Sequence, residues 1–283
     1  MALGLKPMCR FGLTRSDDET VAALRRFAEL SGLALEVYRS SYETSPEPMI
    51  MAARDPARLD AFKACVSVKA AARTAADTAR ETARMGRLLG YPACCVKAFV
   101  AAEKTADGAP RAWAFPRALL RRPARAIPYG LNFLYNFHSR SSGPDRELET
   151  MLRGGYRLME AYLLPWIPCS WTCAPSRAFA QKLEAALAAR LPDVARGLRE
   201  ILSLPVLVID GWRFVPLSGA SAGGRRLSYA GTVQARTLAS KEITALLERG
   251  GVLRETARGV VISRAGKIVG SVPGARLFDF SGG

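Results

Sequence analysis

Leu88-Leu89-Gly90-Tyr91-Pro92-Ala93-Cys94-Cys95-Val96-Lys97-Ala98-Phe99 closes one helical pattern and opens another. Gly90 supplies the stop, and Pro92 suits a first helical turn, where its missing N–H costs nothing. Cys94 and Cys95 therefore fall at a helix N-terminus, where unsatisfied N–H groups and the macrodipole favour a thiolate over a thiol. The counterpart is Pro168-Cys169-Ser170-Trp171-Thr172-Cys173-Ala174-Pro175, and the two stretches hold four of the chain's six cysteines. Thiolates are soft ligands that select zinc or iron–sulfur clusters, and four of them in two proline-framed segments are the inventory of one such centre.

Cys169 and Cys173, four apart, lie side by side on a helix and within reach of one ion or cluster on a turn. Adjacent helical residues diverge by about 100°, so only one of Cys94 and Cys95 is expected to bind the same metal atom well. Cys95 shares a face with Phe99, which suits a shielded ligand beside Cys169 and Cys173. Cys94, nearer the helix start, is the candidate reactive thiolate. Structural zinc sites usually come as two Cys-x2-4-Cys knuckles, and the two segments do not form such a pair. The expected cofactor is thus a [4Fe–4S] cluster, with zinc as the alternative. Two other readings compete. Cysteine beside Val96 and Phe99 is compatible with plain core, and a disulfide requires an oxidising compartment.

The pattern Leu89-Gly90-Tyr91-Pro92-x-Cys94-Cys95-x3-Phe99, with Pro168-Cys169-x3-Cys173, resembles a family of uncharacterised prokaryotic proteins carrying a Gly-Tyr-Pro-x-Cys-Cys signature. The resemblance covers residues 85 to 180. It implies that the four cysteines act together and brings no activity with it.

Outward from these motifs, the 283 residues are 49% hydrophobic, ample for a real core. Residues 1–13 lack an apolar run followed by a cleavage site, and no stretch approaches a membrane span; a cytoplasmic location is expected. The formal charge of +16 invites a polyanion reading. Only eight of the 41 basic residues are lysines, leaving 33 arginines, and alanine is abundant as well. A GC-rich genome produces that pairing without selection for binding. Arg111, Arg117, Arg121, Arg122 and Arg125 nevertheless cluster among Trp113, Phe115 and Tyr129, and guanidinium beside aromatic rings suits phosphate and stacked bases. The only histidine, His138, is flanked by Asn136 and Arg140. It is a candidate fourth ligand or general acid/base, with its neighbours and Arg121 and Arg122 orienting an anionic or nucleotide-like substrate.

The expected fold class is α+β in three parts. Residues 1–75 form a small α/β sandwich of β-α-β-β-α order. Ser16 to Glu19 is a capping box there, and Cys9 and Cys65 are read as buried thiols. Residues 76–203 form a helical metal-binding domain, reached by a long alanine-rich helix from Val68 to Leu89. It holds a loop from Ala106 to Pro144 and further helices over Glu147–Tyr162, Ser176–Arg190 and Asp193–Leu202. Residues 204–283 are β-rich, with an Asp210-Gly211 hairpin and a second β-pair at Gly259–Ile262 and Lys267–Val272. A helix at Ser240–Glu248 separates the two. Ser218 to Arg226 does not fit the Gly-x4-Gly-Lys-Ser/Thr pattern, and no Ser-His-Asp order, His-Glu-x-x-His or radical-type Cys-x3-Cys-x2-Cys occurs. Two function classes remain. One is an iron–sulfur enzyme acting by sulfur transfer, desulfuration or redox chemistry on a small anionic substrate, with a redox partner. The other is an RNA- or polyanion-binding protein with a structural metal.

Overall fold

The computed structural model describes residues 5–12, 18–38, 49–72, 74–104, 119, 126–134, 162–209, 213–219, 221–223, 226–232 and 239–282. Among these residues there are seven helices and three antiparallel sheets, a mixed α+β composition. The chain groups into two compact units, Met1–Gly108 and Ala109–Gly283.

The first unit contains β1 (Met8–Gly12), α1 (Asp18–Leu30), β2 (Ala34–Tyr38), β3 (Met49–Ala53), α2 (Pro56–Ala71), α3 (Ala75–Leu88) and α4 (Ala93–Lys104). β3 is the central strand, antiparallel to both β1 and β2. β1 and β2 therefore run parallel to each other, joined by α1 with β3 inserted between them, which is a split β-α-β. Met8, Met51 and Ala53 from the sheet and Leu59 and Phe62 from α2 form its core with Leu89. The capping box expected at Ser16 lies outside the described residues.

One expectation needs correcting. The alanine-rich reach from Val68 to Leu89 is two helices rather than one, with α2 ending at Ala71 and α3 starting at Ala75. Alanine propensity alone favours continuity, but Thr74 interrupts it. Its hydroxyl accepts the Asp77 N–H at 3.0 Å, satisfying a first-turn donor and starting a new helix. α3 then folds back to pack on α2.

In the second unit, a 3-10 turn at Tyr129–Leu131 precedes α5 (Ala174–Ala188) and α6 (Pro192–Leu202). Asn132 is fully buried. Its amide donates to the Leu202 carbonyl at 2.9 Å and its side-chain oxygen accepts the Leu134 N–H at 3.2 Å, which fixes the turn to the end of α6. The expected hairpin is β4 (Val206–Val208) paired with β5 (Phe214–Ser218); its Asp210-Gly211 turn lies outside the described residues. β4 and β5 lie in a four-stranded sheet, order β12-β4-β5-β8, with β8 (Gly231–Thr232) and β12 (Arg276–Phe278). A five-stranded sheet, order β11-β10-β9-β7-β6, comprises β6 (Ser221–Gly223), β7 (Arg226–Ser228), β9 (Val252–Thr256), β10 (Gly259–Arg264) and β11 (Lys267–Pro273). α7 (Lys241–Glu248), capped by Ser240, packs Leu247 into a core with Leu207, Leu217, Leu253, Val260 and Ile262. The last residues return to the 3-10 turn. Ile127 N–H donates to the Asp279 carbonyl at 2.9 Å, and Tyr129 N–H to the Gly282 carbonyl at 3.1 Å.

Among the described residues, no helix is long and apolar enough to cross a membrane.

Candidate metal centre

The first cysteine pair is placed by the end of α3. Gly90 adopts φ +73°. Its N–H donates to the Arg87 carbonyl at 3.0 Å, and the Tyr91 N–H to the Gly86 carbonyl at 2.9 Å, the paired bonds of a Schellman stop. A Cβ on Gly90 would come within 2.6 Å of Pro7 Cδ. Gly90→Ala is therefore expected to cost about 1–2 kcal/mol from backbone strain alone, with the clash in addition. Urea unfolding checks this; unchanged stability would show that the turn rearranges freely. Beyond Gly90, Lys6 Nζ sits 4.9 Å from the centre of the Tyr91 ring, and Pro92 accepts the Val96 N–H at 3.0 Å to open α4. Cys94 and Cys95 occupy the first turn, as expected. Cys95 is buried and Cys94 exposed.

The sequence reading separated these two by the divergence of neighbouring helical positions. Their sulfurs are nevertheless 3.9 Å apart. The divergence holds for the Cα–Cβ directions, and rotation about χ1 brings the sulfurs back together.

The second pair lies on a turn ahead of α5. The Cys173 N–H donates to the Ser170 carbonyl at 3.2 Å, and Cys173 is the N-cap residue, accepting the Arg177 N–H on its carbonyl at 2.9 Å. Its sulfur makes no capping bond. Trp171 anchors the turn. Its ring is 5.4 Å from Phe133, 5.4 Å from Phe278 and 5.6 Å from Phe280. One turn into α5, the fully buried Ser176 hydroxyl accepts the Trp166 indole N–H at 2.9 Å.

The sulfurs of Cys94, Cys95, Cys169 and Cys173 all lie within 4.8 Å of one another, and the group can hold a metal ion. None of them is in a disulfide.

No protein-family model, curated protein or solved structure matches this chain.

The chemistry of the donor set fits a metal. It consists of four soft sulfur donors, two from each of two helix starts where first-turn N–H groups and the macrodipole favour negative charge. Cys95 and Cys173 are shielded from solvent, at 3% and 4% exposure. Zn–S bonds of about 2.3 Å in a tetrahedron give sulfur separations of about 3.8 Å, close to the 3.9 Å between Cys94 and Cys95.

The other two cysteines belong elsewhere. Burial pushes the Cys9 thiol up, against the opposing charge of Lys6, and burial raises Cys65 as well, with Glu81 adding to the effect. Both effects favour the inert thiol over the thiolate. His138, Asn136, Arg140, Arg121 and Arg122 lie outside the described residues. One network was not anticipated from the sequence. Glu184 on α5 accepts the Tyr129 hydroxyl on one carboxylate oxygen and Arg199 on the other, at 2.8 and 2.5 Å. These residues are 55 and 15 positions from Glu184, with no shared motif to announce them.

Proposed function

We propose that this chain is a metalloprotein with a single tetrathiolate centre, and that the centre is a closed, structural site of the zinc class in a basic protein that binds polyanions. The observation that carries this reading is the compactness of the four sulfurs. A single ion draws its four thiolates to its own coordination sphere. A cubane hangs each thiolate on a different iron, so its ligands must stand further apart. The spacing Cys169-x3-Cys173 is also that of a zinc knuckle. Cys94 and Cys95 replace the second knuckle by an adjacent pair, which is the departure that first favoured iron–sulfur.

Four thiolates fill a tetrahedral ion and leave no position for substrate, which separates structural from catalytic zinc. When bound, zinc would stabilise the cysteine segments, and the +16 formal charge supplies the surface for an RNA or other polyanion. The test is metal, iron and labile-sulfide analysis of protein purified without oxygen. One zinc per chain without sulfide is the expected result. Binding to RNA should weaken by orders of magnitude between about 50 and 200 mM salt; no binding at low salt would remove the polyanion half of the proposal.

The second reading is the iron–sulfur enzyme with a [4Fe–4S] centre. The exposure of Cys94 favours it: a thiolate left off the cluster would leave one iron open to a small anionic substrate. Four irons with four sulfides and a broad visible absorption would establish that reading and overturn the first.

A further inference from the structure

We propose a second binding site, for a small organic carboxylate, in the cleft between the Tyr129–Leu131 turn and α5. The cleft holds about 310 Å³ including its open mouth, at the lower end of small-molecule pockets, which start at about 300 Å³. Its walls come from Tyr129, Leu131, Arg177, Ala180, Gln181 and Glu184, among others. On α5, Arg177, Gln181 and Glu184 recur at helical spacing, so one face of the helix lines the site.

The cleft is built, and its construction fixes its charge. A Cβ on Gly130 would come within 2.8 Å of the Ala180 Cβ, so two small residues bring the 3-10 turn down onto the helix and form the floor. Glu184, with a side chain 13% exposed, receives two donors from Arg199 and one from Tyr129. The Tyr129 hydroxyl is raised in pKa, first by burial and then by Glu184, which keeps it a donor to that carboxylate. The carboxylate of Glu184 and the guanidinium of Arg199 thus balance each other, and Arg177 adds one positive charge to the cleft. A guanidinium fork matches a carboxylate in shape and charge. Gln181 adds an amide donor beside it. The walls below Arg177 are largely apolar, from Leu131, Ala180 and the Tyr129 ring. One cation over an apolar wall suits a monoanion with a short hydrocarbon body. A phosphate dianion would meet the Glu184 charge with only one guanidinium to answer it.

All of these residues lie in the second unit, and the site does not depend on the metal reading. The experiment is a titration of the full chain with propionate, inorganic phosphate and propylammonium, read by ligand-observed NMR and by amide shifts of α5. Propionate is expected to bind and to shift Gln181 and Ala180. Arg177→Ala should weaken it at least about tenfold, and Arg177→Lys, which keeps the charge but loses the fork, should weaken it less. Arg177 is exposed, so neither variant should disturb folding. The proposal is overturned if propionate fails to bind, if phosphate or propylammonium binds as well as propionate, or if Arg177→Ala binds unchanged. None of these outcomes bears on the metal content of the protein.

Discussion

Serine at Cys169 or Cys173 is expected to strip the protein of its metal. Changing only the hydrogen-bonding partners of metal ligands already costs about 10–100-fold in affinity. Loss of a ligand from a four-thiolate set should cost more than the upper end of that range, because the hydroxyl of serine is neutral at neutral pH and too hard for an ion that prefers sulfur. The informative comparison is with Cys94 and Cys95. If one ion is shared by all four sulfurs, as their mutual approach within 4.8 Å suggests, the serine variants at 94 and 95 should lose metal equally. If the exposed Cys94 stands off a cluster, its variant should keep the metal and only Cys95→Ser should lose it. Metal per chain after dialysis against a graded chelator separates these outcomes. Full retention in the Cys169 and Cys173 variants would return the four cysteines to ordinary core.

The elements around the cysteines were legible in the sequence because their signals are local. Gly90 needed a positive φ to end α3, Pro92 could only open a helix, and Cys94 and Cys95 followed at the first turn. The β10–β11 pair and the Ser240-capped α7 were read from alternation and capping in the same way. The break between α2 and α3 was missed because alanine content was weighed over a single hydroxyl; Thr74, three residues before Asp77, was the available signal. The Tyr129–Glu184–Arg199 network could not be read, since it depends on tertiary placement of residues far apart in the chain. The separation of Cys94 from Cys95 relied on backbone direction alone. Side-chain rotation decides where a sulfur goes, and the 3.9 Å between the two sulfurs shows how little a 100° divergence constrains it.

Trp171→Ala is expected to lower stability by about 3–5 kcal/mol, the usual cost of emptying a large aromatic site from a core. Trp171 is 6% exposed and lies between Cys169 and Cys173, in contact with Phe133, Phe278 and Phe280, each at most 1% exposed. Two of those rings belong to the C-terminal segment, whose backbone also bonds to Ile127 and Tyr129. The cysteine turn is thereby fixed to chain ends that are distant in sequence. Removing the indole should loosen the turn, so Trp171→Ala should lose metal affinity as well as stability. Trp171→Phe should behave differently. The indole N–H is buried without a hydrogen-bond partner, and a buried donor left unpaired costs about 1–3 kcal/mol. Phenylalanine removes that penalty while keeping a ring against the three phenylalanines, so its loss of packed volume is partly offset, and the variant should fall well short of the alanine cost. Urea unfolding of metal-loaded and chelator-treated protein measures both effects. Equal destabilisation by phenylalanine and alanine would mean that the indole nitrogen has a partner that matters. An alanine variant with unchanged metal affinity would free the cysteine turn from its dependence on the aromatic cluster.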